Sequence, residues 1–583
     1  MTVEQARAEF AALAHQAEQD FPESEKGWGA MVRTLPDFLV YGFGIRSGLA
    51  IIMTTVGFVL LIACANVSGL LLARAAGRKK ELAVRLSLGA ARSRIIRQLL
   101  TEGLVIALLG GGLGLLLAYK GIDLVRASMR FNEAVAAIGL RLDSNVVLFT
   151  IGVSVACALL CALAPALKAS RADVTTGLKD DSRTASAGRS QTRLRTILVT
   201  GEIALALFLL IGTGLLFVAI FKVEHQNLGF QSEHLLTAGV TLDAVRYENA
   251  DRQVAFVRDL LPRLQHIPGA EAAAVTSDLP VSGTGTVTIR IYGHPDLPPG
   301  QVLTSADFVI TPDYFRTIGM TVLRGRSFTE QDNSTSARVV IINQKFADQY
   351  LPGEDPIGKQ IRLEVTGAPP GWSQIIGMVN NVRRYSESEA NDPNVYEPFL
   401  QRPRPEFSLL VRATGEPNSL ISEMRNTVMA IDTELPLDHL MSMSAIIDRQ
   451  HGGDSFFSRV LAGFAFLALV LAAIGIYGLI AYSVGQRTYE IGIRIAMGAK
   501  GHDIFKMIFR EGMTMTAIGG AIGLAMSLPL PRIFEALFVD THVHEPTLYF
   551  VVPLVILAVA TLVMYVPARW AARIDPMHAL RQE

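Results

Sequence analysis

Cysteine and net charge are two things this sequence has little of. Its three cysteines in 583 residues, Cys64, Cys157 and Cys161, all lie inside apolar runs. Cysteines in such positions are typical of small buried side chains, so we expect no disulfide framework. Formal net charge is zero, with 53 basic and 53 acidic residues. Because there is no global basic field, nucleic acid is not an expected partner.

Recognisable catalytic motifs are also lacking. GEDPIGK (353–359) matches the phosphate-loop pattern G-x-x-x-x-G-K, but Gln360 replaces the Ser or Thr that holds magnesium. A helix-like NQKFADQYLP precedes it and a strand-like QIRLEV follows it, which reverses the order that a phosphate site requires. His542 and His544 are expected to be solvated rather than zinc-binding. We therefore predict no enzyme activity, no cofactor and no metal site.

Charged residues are scarce, whereas long apolar runs are abundant. The chain is 18% charged and 50% hydrophobic, with a mean hydropathy of +0.35, which is too apolar for an ordinary soluble protein. Several stretches exceed the roughly 20 residues that cross a bilayer core, and the polar residues 1–25 do not form a signal peptide. The sequence thus predicts a polytopic α-helical membrane protein with about seven transmembrane helices. They lie near 49–73, 98–119, 145–167, 196–221, 457–483, 509–530 and 547–567.

The distribution of Lys and Arg predicts the orientation of these spans. The 74–97 loop has eight basic residues against one acid, and the 168–195 loop, the 484–510 loop and the C-terminal tail are also basic. Positively charged loops stay on the cytoplasmic side. Residues 222–456 are therefore expected outside the cytoplasm, and the C-terminus inside.

The chain contains an internal repeat, in which residues 78–118 align with 487–527 at a constant offset of 409. Residues 165–179 similarly parallel 567–581. Shared hydrophobicity alone does not explain matches of charged residues and glycines with their spacing kept. The matched pairs are Glu81 with Glu490, Arg85 with Arg494, Gly89 with Gly498, Glu102 with Glu511, Gly110 with Gly519, and Gly114 with Gly523.

In each copy a Glu and an Arg stand four residues apart, before a glycine. On a helix such a pair contributes only about 0.3–0.5 kcal/mol, and helix stabilisation is one interpretation. We favour another: a short cytoplasmic surface helix that docks a partner. These positions are Glu81, Arg85 and Gly89 in the first copy, and Glu490, Arg494 and Gly498 in the second.

Four other glycines have the small-xxx-small spacing that lets membrane helices approach closely, which predicts a packing role. They are Gly110, Gly114, Gly519 and Gly523. Glu102 and Glu511 lie near the inner ends of their spans, where a carboxylate needs water or a cation. We predict structural ion pairing for them in preference to a proton relay.

The two copies are unequal, because the first has no leading span and lacks most of a soluble domain. The chain is thus expected to be the C-terminal part of a longer duplicated protein, or a truncated reading frame. The predicted segments are a domain remnant (1–45), a three-helix unit (46–168), a basic cytoplasmic linker (169–195), a transmembrane helix (196–222), an outside domain (223–455) and a second three-helix unit (456–583).

The outside domain is predicted to be α+β. Runs such as LLTAGVTL and FSLLVRA have strand character, and DRQVAFVRDLLPRLQHI has helical spacing. Two strand–helix–strand units, 235–277 and 407–441, suggest a split layer with a β-rich insertion between them. The segment offers no catalytic group, so binding or force transmission is its expected work.

Four segments carry a family resemblance: 81–103, 490–512, PDYFRTIGMTVLRGRSFTEQD (312–332) and VVIINQKFADQYLPGEDPIGKQIRL (339–363). With them, nearly the whole chain resembles the FtsX-like, MacB-type permeases of ABC transporters, and the last two match the periplasmic core domain of that family. CANVSGLLLARAAGR (64–78) with the duplicated plan is most similar to the duplicated orphan permeases of acidobacteria.

This resemblance implies a permease subunit in the lipid of a bacterial inner membrane. A separate cytoplasmic ATP-binding subunit would dock near 79–92 and 488–501, and its closure would move the outside domain to export or extract a substrate at the outer face. That mechanism is called mechanotransmission. Two alternatives stay open: a regulator of an extracytoplasmic partner protein such as a cell-wall hydrolase, and a non-functional fragment.

Overall fold

The chain forms two compact units, one of long apolar helices and one, within Phe221–Gly452, built around a sheet. The computed structural model describes residues 2–20, 29–34, 45–77, 92–128, 142–170, 184–224, 227–281, 285–294, 302–364, 371–383, 392–537 and 545–573.

The described α-helices are α1 (Val3–Asp20), α2 (Ile45–Gly77), α3 (Arg92–Ser128), α4 (Ser144–Ser170), α5 (Thr184–Glu224), α6 (Ala250–Gln265), α7 (Tyr314–Ile318), α8 (Gln344–Tyr350), α9 (Ile421–Met429), α10 (Met443–Gln486), α11 (Thr488–Ala496), α12 (Gly501–Ser527), α13 (Leu530–Leu537) and α14 (Leu548–Ala571).

Seven membrane spans can be assigned by length and hydropathy among the described helices, and each overlaps one of the predicted stretches. This confirms the polytopic class. The spans are Gly48–Leu72, Ile96–Arg126, Ser144–Cys161, Arg193–Lys222, Phe456–Gln486, Gly501–Phe534 and Leu548–Ala571.

Helices α2, α5 and α10 share an apolar core in the helical unit. Ile62, Ala206 and Ala468, one from each helix, are fully buried there. Phe58 of α2 meets Phe208 of α5 edge-to-face, with ring centroids 5.5 Å apart. Small residues beside aromatic rings let these helices interlock at close range.

Helix α12 lies directly against the backbone of α5. A Cβ atom on Gly519 would be 2.7 Å from the carbonyl oxygen of Thr200, and one on Gly523 would be 2.6 Å from that of Ala204. Only a residue without a side chain fits so close to a carbonyl. These two glycines therefore set the distance between the two helices.

The corresponding glycines of the first copy have different surroundings. Neither Gly110 nor Gly114 has a described neighbouring heavy atom within 4 Å of its Cβ position. The close approach lies one residue away, where a Cβ on Gly111 would be 2.6 Å from Oγ of Ser154 in α4. A packing role for Gly110 and Gly114 therefore stays a prediction.

The second unit contains one sheet, whose eleven described strands are ordered β11-β1-β10-β2-β4-β3-β7-β8-β6-β9, with β5 beside β8. The strands are β1 (Leu235–Thr241), β2 (Ala270–Thr276), β3 (Thr286–Ile291), β4 (Leu303–Ile310), β5 (Val322–Gly325), β6 (Val339–Asn343), β7 (Gln360–Glu364), β8 (Ser373–Val379), β9 (Asn394–Pro398), β10 (Glu406–Ala413) and β11 (Leu437–Ser442).

The two strand–helix–strand units are interleaved in this sheet. Antiparallel β1 and β10 lie side by side near one edge of the sheet, where Leu236 is opposite Val411, and β11 and β2 flank them. Helices α6 and α9 cover one face through Leu260 and Met424, both fully buried. The two distant chain segments thus share one hydrophobic core. The α+β class of this domain is confirmed.

The family-like segment 312–332 is held together by buried contacts. Tyr314 is fully buried, and Gly319 ends α7 with φ 74° in the left-handed region. Further on, Arg326 binds Asp332 with two hydrogen bonds of 2.7 and 2.8 Å. That arginine lowers the pKa of Asp332, and the Thr329 amide acts in the same direction. Such charge-assisted bonds fix the turn after β5.

Replacing Gly519 with Ala is expected to destabilise the helical unit by about 1–3 kcal/mol, because the methyl group would push α12 away from α5. Gly520→Ala is the matched control: its Cβ would meet only Leu207, at 4.0 Å. It should be neutral or stabilise by up to about 1 kcal/mol. The melting temperatures of the two variants in detergent test both expectations, and equal values would refute the packing role of Gly519.

A second pair of glycines tests the sheet domain. Both Gly325 and Gly353 have positive φ, 75° and 76°, but only at Gly325 would a Cβ collide with backbone, 2.9 Å from Cα of Gly377. Gly353→Ala should cost about 1–2 kcal/mol for the left-handed conformation alone. Gly325→Ala should cost clearly more. Chemical unfolding followed by Trp372 fluorescence, with Trp28 and Trp570 replaced by Phe, compares the two variants, and similar costs would contradict the close strand contact.

Candidate partner-docking site

Helix α11 is a short helix between two membrane spans, and its end is set by glycine. Gly498 has φ 100°, which side chains with a Cβ rarely adopt. Its amide donates to the carbonyl of Ile495 at 3.0 Å, and the amide of Ala499 donates to that of Arg494 at 2.9 Å. These bonds satisfy the last carbonyls of the helix and turn the chain into α12.

One face of α11 is buried and another carries exposed apolar side chains. Ile491 is 1% exposed. Tyr489, Ile493 and Met497 are 61%, 37% and 83% exposed, and their spacing of four residues places them along one stripe. We call these three residues the apolar stripe. A cluster of this kind at a surface is typical of a contact with another protein or with the membrane.

One ion pair and one sulfur contact join the region of α11 to α12. Nη1 of Arg487 donates to Glu511 at 2.9 Å, so Glu511 has the structural pairing that its position predicts. Arg494 pairs with Glu490 at 2.6 Å and also contacts the sulfur of Met507 at 2.6 Å. Half-exposed pairs of this kind add little stability individually, but together they orient the helix and hold a charge pair beside the apolar stripe.

The first copy of this helix cannot be compared directly. Glu81, Arg85 and Gly89 lie outside the described residues, and their docking role stays a prediction. Glu102 is described in α3, where it accepts a hydrogen bond of 3.3 Å from Gln98.

The phosphate-loop-like stretch is a turn within the sheet domain. Helix α8 precedes it and strand β7 follows it, as the pattern predicts. The amide of Gly358 is already used by the carbonyl of Ile375 at 2.8 Å, and the ammonium group of Lys359 pairs with Glu354. The donors that would cradle a phosphate are thus occupied.

Metal-ligand clusters of His, Cys, Asp and Glu are not found among the residues that the structure describes. His542 and His544 lie outside them. Cys64, Cys157 and Cys161 are free thiols, and Sγ of Cys161 lies 3.3 Å from the carbonyl oxygen of Cys64.

The structure also reveals a polar cluster that the sequence patterns did not predict. Arg195 and Glu202 of α5 are 6% and 2% exposed. One signal was available: Glu202 is the only acidic residue in the 196–221 run, and an ionisable residue inside a span is costly.

Two family models match the chain. The FtsX-like permease C-terminal model matches residues 53–174 and again 462–576, which are the two three-helix units. The MacB-like periplasmic core domain model matches residues 196–427.

Two relatives of the chain have names that describe export proteins. A pyoverdine export ATP-binding/permease protein PvdT of Pseudomonas putida is 27% identical over 45% of this chain and 40% of its own length. A macrolide export ATP-binding/permease protein MacB of Mannheimia succiniciproducens is 25% identical over 51% of this chain and 45% of its own length. The matches thus span less than half of these relatives.

Among solved structures, the periplasmic region of MacB from Actinobacillus actinomycetemcomitans matches 39% of this chain and 96% of that chain, at 14% identity and a TM-score of 0.26. The family assignment rests on the two models, which together span most of the chain. This multi-pass bacterial membrane protein, with its extracytoplasmic α+β domain, belongs to the FtsX-like, MacB-type permeases of ABC transporters.

Proposed function

We propose that the chain is the membrane subunit of such a transporter and that a separate cytoplasmic ATPase drives it. Hydrolysis would move the extracytoplasmic domain, which exports or extracts a substrate at the outer face of the membrane. The observation that carries the proposal is the exposed apolar stripe on α11, a helix joined to α12 by the Arg487–Glu511 ion pair and the Arg494–Met507 contact. The names of the relatives combine ATP binding, a permease and export, which supports the same function.

The chemistry of α11 suits a protein partner. Apolar side chains exposed to water gain free energy when a partner buries them, and aromatic residues and Met are enriched at the centres of interfaces. The Glu490–Arg494 pair adds a charge pattern at the rim, which contributes to the choice of partner. The arginines that bind Glu511 and Met507 keep α11 in one orientation, so pressure on it is passed on to α12.

The proposal includes an orientation. Helix α11 lies within the basic 484–510 loop, the C-terminal tail is also basic, and basic loops remain in the cytoplasm. The proposal therefore has the C-terminus and α11 on the inner side of the inner membrane, where an ATPase has access to nucleotide. In the chain, α5 leads into the sheet domain and α10 leads out of it, so these two helices are the proposed route for mechanotransmission.

Swapping the charges of the helix, Glu490→Lys with Arg494→Glu, should abolish recovery of the ATPase. The swap keeps an ion pair four residues apart, so α11 itself should still form. The tagged protein is purified from native membranes in detergent, and ATP-binding proteins are identified by mass spectrometry.

The matched control is Asp259→Lys with Arg263→Glu, which swaps an exposed i,i+4 pair of 2.8 Å on α6. It should retain the ATPase. Absence of an ATPase from the wild-type sample would contradict coupling, and recovery of a cell-wall hydrolase in its place would favour the regulator.

The apolar stripe is tested separately. Ile493→Asp or Met497→Asp should weaken ATPase binding by about tenfold or more, since a buried charge in the interface costs well over 1.4 kcal/mol. Val245→Asp, at a residue of the sheet domain that is 78% exposed, is the control. Titration of detergent-solubilised variants with the purified ATPase gives the Kd values. Unchanged affinity in the stripe variants would move the docking site away from α11.

A further inference from the structure

A buried carboxyl group lies where three helices of the two copies meet. Glu202 of α5 is 2% exposed and lies between α2 of the first copy and α10 of the second. Its Oε2 atom has no hydrogen-bond partner in the described part of the chain. An ionised carboxylate without a partner is strongly disfavoured in such surroundings.

Helix α10 makes room for this group through a glycine. A Cβ atom on Gly475 would collide with Oε2 of Glu202 and would be 3.0 Å from Oδ1 of Asn66 in α2. Two oxygen atoms from different helices therefore converge on the surface of one glycine. Both are acceptors if the carboxyl group is ionised.

The orientation of Asn66 is set by its other contact. Nδ2 of Asn66 donates to the carbonyl oxygen of Leu471 in α10 at 2.9 Å. Since that carbonyl can only accept, the amide nitrogen must face it, and the amide oxygen lies on the surface of Gly475 to which Oε2 of Glu202 also points. A proton on Glu202 is the simplest donor for this oxygen.

Arg195 is the charged side chain that acts on Glu202, but no ion pair joins them. Its guanidinium group lies over the ring of Tyr482, with its Cζ atom 4.5 Å from the centroid, and its Nη1 atom is unpartnered. Gly69 follows Asn66 by three residues on α2, and Gly478 follows Gly475 by three residues on α10. Both glycines lie beside the guanidinium group, which is therefore only about 4.5 Å farther along each helix than the Glu202 carboxyl group.

We propose that Glu202 is a proton-binding site inside the membrane segment. The neutral carboxyl group donates its proton to Oδ1 of Asn66 and ties α2 to α5 across Gly475. When the proton leaves, the carboxylate turns toward Nη1 of Arg195, and the tie to Asn66 is released. Proton occupancy thus controls a contact between the two copies of the permease, independently of any ATPase docking.

Two substitutions of Glu202 test whether the protonated or the ionised carboxyl group makes this contact. Glu202→Gln keeps a neutral hydrogen-bond donor for Asn66, so the melting temperature of the protein in lipid nanodiscs should stay unchanged. Glu202→Leu removes the donor and should lower the melting temperature by several degrees. A loss in Glu202→Gln as large as in Glu202→Leu would show that the ionised form is what stabilises the protein, and would overturn the proposal.

Infrared spectroscopy observes the proton itself. Wild-type protein near neutral pH should show the carbonyl stretch of a protonated carboxylic acid, and Glu202→Gln should lack it. Glu511→Gln, which removes a carboxylate paired with Arg487, should retain it. If Glu202→Gln fails to fold, isotope-labelled glutamate in the wild type still shows whether a protonated glutamate is present. Absence of the band from the wild type would overturn the proposal.

Gly475→Ala tests the geometry. The methyl group should displace the carboxyl group, remove or shift the infrared band and lower the melting temperature. Gly463→Ala is the control on the same helix, since a Cβ there has no neighbour within 4 Å. An identical band in Gly475→Ala and wild type would contradict the site.

Discussion

The helical unit depends on one constraint: the close contact of two helix backbones at glycine positions, where no side chain separates them. Lipid tails are as apolar as Leu or Ile, so the hydrophobic effect does not distinguish one helix neighbour from another in a membrane. Gly519 and Gly523 provide a specific neighbour for α12, because they bring that helix against the carbonyls of Thr200 and Ala204 in α5. Helix α5 in turn shares its core with α2 and α10, so this contact joins α12 to the core of the helical unit.

The polar groups of the unit are arranged around that packing, in two different environments. At the end of the bundle, Arg487 and Arg494 are half-exposed and keep ordinary ion pairs with Glu511 and Glu490, which orient α11. In the interior, Glu202 has no such partner. The half-exposed charges orient α11, the proposed docking helix, and the buried carboxyl group is the proposed site where a single proton changes a helix contact.

Much of the architecture was readable from the sequence. The apolar runs predicted all seven spans, because a bilayer core imposes a minimum length on any helix that crosses it. Both strand–helix–strand units were visible as local periodicity. Strand β4 was not predicted, because Asp307 interrupts its apolar pattern. That carboxylate is 7% exposed and is paired with Arg402 at 2.5 Å, a partner 95 residues away that no local pattern can identify.

The sequence by itself determined the class of protein, the duplicated plan and the family, because hydropathy and motif spacing are properties of the chain. Tertiary structure decided which described atoms surround each repeated position. Gly519 touches a carbonyl of α5, whereas its counterpart Gly110 meets no described atom within 4 Å. It also decided that Glu202, Asn66 and Gly475 converge on one point. Their separation along the chain reaches hundreds of residues, so only the packing of three helices brings them together.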